Sequence, residues 1–115
     1  MRVDFEHRSP RSDDLIRIGM VDLEDGFRWI DLDESRAWCW QQGCRLQWYP
    51  TDGNRLVLYN KLVQGGHGAV IQDVETKRIE REYCKPIYSL SGDGQFGISL
   101  NFARLQRLRP GYGYG

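Results

Sequence analysis

The chain has 115 residues, with 16 Lys plus Arg balanced by 16 Asp plus Glu, so its formal net charge is zero. Balanced charge argues against general affinity for nucleic acid or an anionic membrane, and this length suits one domain or part of a larger one. Thirteen glycines and 12% aromatics favour strands and tight turns, and no apolar run reaches the roughly 18 residues of a membrane-spanning helix.

The opening stretch, MRVDFEHRSPRSDD, is polar, has a Ser-Pro step and lacks an apolar h-region. It predicts an extended arm over residues 1–14 and no secretory signal. LIRIGMVDLEDG then alternates apolar and polar up to Asp25-Gly26, a hairpin signal. FRWIDLDES answers it with Phe27 and Trp29 on one face, then a second alternating register through Ile30 and Leu32. RAWCWQQG predicts an irregular connection, and Cys44–Tyr49 a strand that Pro50 stops. TDGN turns into the strand Arg55–Lys61, LVQGGHG is a flexible loop, and Ala69–Asp73 is an interior strand. Arg78–Tyr83 reads as a charged edge strand, with helix as its alternative. Pro86–Leu90 and Gln95–Arg104 are the last two strands, and QRLRPGYGYG, covering 105–115, leaves regular structure.

Two segments repeat. WYPTDGNRLVLYN at 48–60 is echoed 41 positions later by YSLSGDGQFGISLN, with Asp52-Gly53 on Asp93-Gly94 and Asn60 on Asn101. VDLEDG at 21–26 is echoed 51 positions later by QDVETK, with Asp22 on Asp73 and Glu24 on Glu75. Periods of about 40 to 50 residues mark propeller blades, each a four-stranded antiparallel sheet. The expectation for 15–104 is therefore all-β: one complete blade, Cys44–Tyr83, flanked by a half blade at Leu15–Leu32 and another at Pro86–Arg104.

The segment YPTDGNRLVLYN…GAVIQDVETKRIERE…PIYSLSGDGQFGISLNFARL resembles the repeat of TolB-like and oligogalacturonate-lyase-like β-propellers over about residues 15–115. The resemblance rests on the turns Pro50-Thr51-Asp52-Gly53, Ser91-Gly92-Asp93-Gly94 and Asp73-Val74-Glu75-Thr76. It implies a ring of blades, and two blades' worth of strands do not close one. Half blades shared head to tail between chains would. Three chains giving six blades is the favoured assembly, with other oligomers, such as four chains and eight blades, and a compact monomer as the alternatives.

No nucleophile elbow, P-loop or dinucleotide fingerprint occurs, and no cofactor is expected. The expected function is a non-catalytic binding or scaffold protein, its ligand a carbohydrate or other polar molecule. Trp38, Trp40, Gln41 and Gln42 are the candidate sugar platform, because indole faces stack on sugars and amides both donate and accept. Asn60 and Asn101 are candidates as equivalent repeat positions, and Arg104 as part of ARLQRLRPGYGYG. His67 is a candidate metal ligand only if a ring gathers several copies. One alternative is a lyase or hydrolase with a site between chains. Another is nucleic-acid binding through Arg104, Arg107, Arg109, Tyr112 and Tyr114. Cys39, Cys44 and Cys84 are odd in number without a Cys-x-x-Cys, which predicts reduced thiols in a cytoplasmic protein.

Overall fold

The structure, a computed structural model, describes residues 7–50 and 53–115. The Thr51-Asp52 half of the first repeated turn therefore lies outside the described residues. Among the described residues, eight strands form three antiparallel sheets of two, four and two strands. The first joins β1 (Ile16–Asp22) to β2 (Arg28–Ser35). The second has the order β3 (Gln47–Trp48), β4 (Leu56–Val63), β5 (Gly66–Asp73), β6 (Ile79–Tyr83). The third pairs β7 (Ser89–Leu90) with β8 (Gly97–Ile98), and a helix, α1 (Phe102–Leu108), follows.

The central sheet is covered on both faces. Val57, Tyr59 and Val70 pack with Ile16, Ile18 and Leu32 of the first sheet and with Trp38 and Cys44. Leu58, Ala69 and Ile71 pack with Ile87 and Leu90 beside the third sheet. A strand buried on both faces reads as a continuous apolar run rather than an alternation, which is how AVI at 69–71 is spelled. β6 is exposed along Ile79–Glu82 and carries alternating charges, as an edge strand should. The change of register read within FRWIDLDES is a β-bulge: Ile18 faces Asp33 and Gly19 faces Asp31, leaving Leu32 as the extra residue, buried in the core.

The sequence repeat is also a structural one. Trp48 pairs with Val57, and 41 positions on Ser89 pairs with Ile98. β1 and β5 end on the aspartates matched across 51 positions, Asp22 and Asp73. Each aspartate closes the same local turn, its Oδ1 accepting from the N–H two residues on, Glu24 at 3.0 Å and Glu75 at 2.8 Å.

Two expectations are corrected. LVQGGHG is not a flexible loop. Val63 pairs with Gly66 across Gln64-Gly65, both left-handed at φ 51° and 82°, and His67 lies within β5. That geometry matches the twist of the strands it joins. The strand expected over Gln95–Arg104 ends at Ile98, and Phe102–Leu108 is helical. Among the described residues no third strand lies beside it as a ladder partner, whereas a helix satisfies its backbone locally. FARLQRL is rich in helix formers, and Asn101 caps it by accepting from Arg104 N–H at 2.9 Å.

Candidate functional site

Asn60 and Asn101 have different roles despite their matched positions. Asn101 is an exposed helix cap. Asn60 is fully buried in β4, and its amide grips one peptide unit of the next segment. Its Oδ1 accepts from Ile87 N–H at 2.8 Å and its Nδ2 donates to Ile87 O at 3.0 Å. The amide thereby imitates one rung of a β-ladder. Nδ2 also donates to the Tyr114 hydroxyl at 2.7 Å, and the Asn60 carbonyl accepts from Ser35 Oγ at 2.8 Å. Asn60 fastens β4 to the segment that leads into β7 and to the 111–114 segment.

The aromatic segment separates in the same way. Trp38 is buried and donates its indole N–H to Asp14 O at 2.9 Å, which docks the N-terminal arm. Arg8 and the Arg11 N–H both bond Asp14, and the Arg8 hydrogen bond above all holds its carboxyl down at about 2. Trp40 is 54% exposed and meets Trp38 edge to face, ring centroids 5.7 Å apart. The two line a hollow of about 130 Å³ with Pro10, Arg11, Ser12 and Gln106. Gln41 is exposed nearby, while Gln42 donates to Tyr112 O at 3.2 Å. Of the four, Trp40 and Gln41 are the ones presented to solvent.

A larger cleft, about 420 Å³, is lined by His67, Cys84, Lys85, Ser99 and Asn101 beside Phe102. Cys84 is an exposed free thiol, and Cys39 and Cys44 are buried free thiols. Burial pushes the Cys44 thiol up to about 11, which keeps it protonated and inert. Burial also lowers the His67 imidazole, partly opposed by a hydrogen bond with the Gly115 backbone. No group of three or more His, Cys, Asp or Glu able to hold a metal occurs among the described residues.

Arg104 is exposed on α1. Arg109 lies over the Tyr112 ring at 4.2 Å, and Tyr114 is buried, stacked on Phe102 at 4.2 Å with 5° between the planes. Arg109 and Tyr112 are thus engaged with each other and Tyr114 with the core, while Arg104 and Arg107 are exposed on α1.

Sequence reading missed a second interior network. Tyr59 donates its hydroxyl to Asp33 Oδ2 at 2.6 Å, and Lys61 bonds the same oxygen. Gln72 Nε2 donates to Leu32 O at 3.0 Å, joining β5 to the bulge of β2. Burial alone would raise the Asp33 carboxyl, but hydrogen bonds from Lys61 and Tyr59 outweigh it and hold it below the ordinary range. Burial and the adjacent carboxylate push the Tyr59 hydroxyl far up, so it stays protonated as a donor. The signal was present as alternation: Tyr59 and Lys61 lie on one face of β4, with Leu58, Asn60 and Leu62 on the other.

No family model, curated protein or solved structure matches the chain.

Proposed function

We propose that the chain is a non-catalytic binding or scaffold protein that assembles by completing its outer sheets between copies. The observation that carries this is the open edge left at each end of the repeat. β4, the counterpart of β8, pairs with β5, and β5 is the counterpart of β1. Among the described residues, β8 pairs only with β7 and β1 only with β2. The arrangement within the chain is therefore a template for β8 of one copy lying against β1 of the next. Exposed apolar side chains flank both edges: Phe96 and Ile98 at β8, Leu15 and Val21 at β1. Such edges are liabilities unless covered. A propeller-like ring of three chains and six blades is the reading the repeat supports best.

In this reading Trp40 and Gln41 are the carbohydrate-facing pair, with the indole as stacking platform and the amide as donor and acceptor. The expected light-scattering mass at micromolar concentration is three times that of the chain. A mass of one chain under those conditions would falsify the shared-sheet reading. The ligand is tested separately, by quenching of tryptophan emission with neutral oligosaccharides in wild type and in Trp40→Ala.

The cleft holding His67, Cys84, Lys85 and Ser99 favours a second reading, an enzyme of the lyase or hydrolase type completed by a neighbour. Turnover of oligosaccharide or ester substrates that His67→Ala abolishes would support it.

A further inference from the structure

Residues 111–114 are held by the rest of the molecule in the manner of a bound peptide. Gly111 and Gly113 both donate their N–H groups to Gln106 Oε1, at 2.9 and 3.3 Å. Tyr112 offers its carbonyl to Gln42 Nε2. Tyr114 donates its N–H to Phe102 O at 3.1 Å. The backbone of this segment is thus met by groups from α1 and the 37–43 loop.

Two positions are read by side chain or by its absence. A Cβ at Gly113 would sit 2.0 Å from Phe102 O and 2.5 Å from Gln106 N, so the backbone approach admits only glycine. The Tyr114 ring is 1% exposed, stacked on Phe102, touched edge-on by His67 at 5.3 Å, and its hydroxyl accepts from Asn60. The Tyr112 ring, by contrast, lies on Arg109 of its own segment.

We propose that Asn60, His67, Phe102, Gln106 and Gln42, which surround this segment, form a peptide-recognition site for Gly-Tyr segments able to take its turned backbone, with Gly111 left-handed at φ 93°. Residues 111–114 fill it in cis, and the same segment from a second copy fills it in trans. Tethering through Pro110 gives the cis segment an effective concentration in the millimolar range, so it normally excludes free peptide. The specificity follows from the contacts: glycine then tyrosine at the last two read positions, any residue at the position before them.

The test is fluorescence anisotropy of labelled Gly-Tyr-Gly-Tyr-Gly with the full-length chain carrying Tyr114→Ala, beside wild type. Binding is expected to the variant and to be at least tenfold weaker in wild type, whose own segment competes. Gly-Ala-Gly-Tyr-Gly should compete as well as the parent peptide. Gly-Tyr-Gly-Phe-Gly should be about tenfold weaker, because the Asn60 donor loses its partner. Gly-Tyr-Ala-Tyr-Gly should not compete. Where Tyr114→Ala does not fold alone, Tyr114→Leu keeps an apolar filler and serves in its place. If neither folds, added peptide should restore the folded circular-dichroism signal. Equal binding by wild type and variant, effective competition by the alanine-containing Gly-Tyr-Ala-Tyr-Gly, or no binding or rescue in any variant would each overturn the proposal.

Discussion

Asn60 and Asn101 show how far identical residues at matched repeat positions can diverge. Asn60→Ala would strand the N–H and C=O of Ile87 and the Asn60-facing hydroxyl of Tyr114. Leaving buried polar groups unpaired costs about 1–3 kcal/mol each, so with three stranded a loss of at least about 3 kcal/mol is expected in urea unfolding. Asn101→Ala removes only a helix cap and should cost about 1 kcal/mol. The pH dependence has two separate windows. His67 is depressed in the folded protein, so stability is complete above the unfolded value near 6.5 and declines as pH falls below it. Asp33 is also depressed, but for a carboxylate the stabilisation is present above about 4 and is lost as pH falls through its folded value. Urea midpoints measured against pH should lose the first decline in His67→Gln and part of the second in Asp33→Asn. Both asparagines were legible as equivalent positions of the repeat, but their divergence was not. It depends on which residue stands opposite each, and a periodicity does not carry that.

Among the elements, the central hairpin of β4 and β5 is the most deeply buried, and its glycines are not interchangeable. A Cβ at Gly68 would lie 2.3 Å from Tyr83 O and 2.8 Å from Val63 Cβ, so Gly68→Ala must push β5 from β6. Overpacking of this kind costs about 1–3 kcal/mol. Gly66→Ala meets nothing nearer than Val63 O at 3.9 Å and should stay within about 0.5 kcal/mol. Differential scanning calorimetry of the two variants separates them. The sheet itself was readable in the sequence, because alternation, Asp-Gly turns and a charged edge all follow local rules. The helix α1 was not, since FGISLNFARL alternates well enough for a strand. What decides against the strand is the missing ladder partner, a fact of tertiary context. Trp38 was read together with Trp40, but an indole N–H meeting Asp14 O puts one inside and leaves the other out.

For the whole molecule, the two-four-two arrangement of strands makes assembly a question about two edges. Ile98 is 63% exposed, and a lysine there should cost the isolated chain within about 0.5 kcal/mol. Placed against β1 of a neighbour, the same lysine would bury a charge beside an apolar edge. Ile98→Lys and Val21→Lys should therefore each return the light-scattering mass to one chain while leaving the melting temperature of that chain nearly unchanged.

The chain holds two ladders of very different extent, eight paired positions between β4 and β5 against two between β7 and β8. In deuterated solvent that inequality becomes a clock within one chain. Amide protons of Leu58–Asn60 and Ala69–Ile71 should persist until the whole domain opens, because both faces of their strands are sealed. Those of β7 and β8 should exchange by local opening, orders of magnitude sooner. Any neighbour that borrows the β8 edge would slow that faster hand of the clock and leave the slower one unchanged.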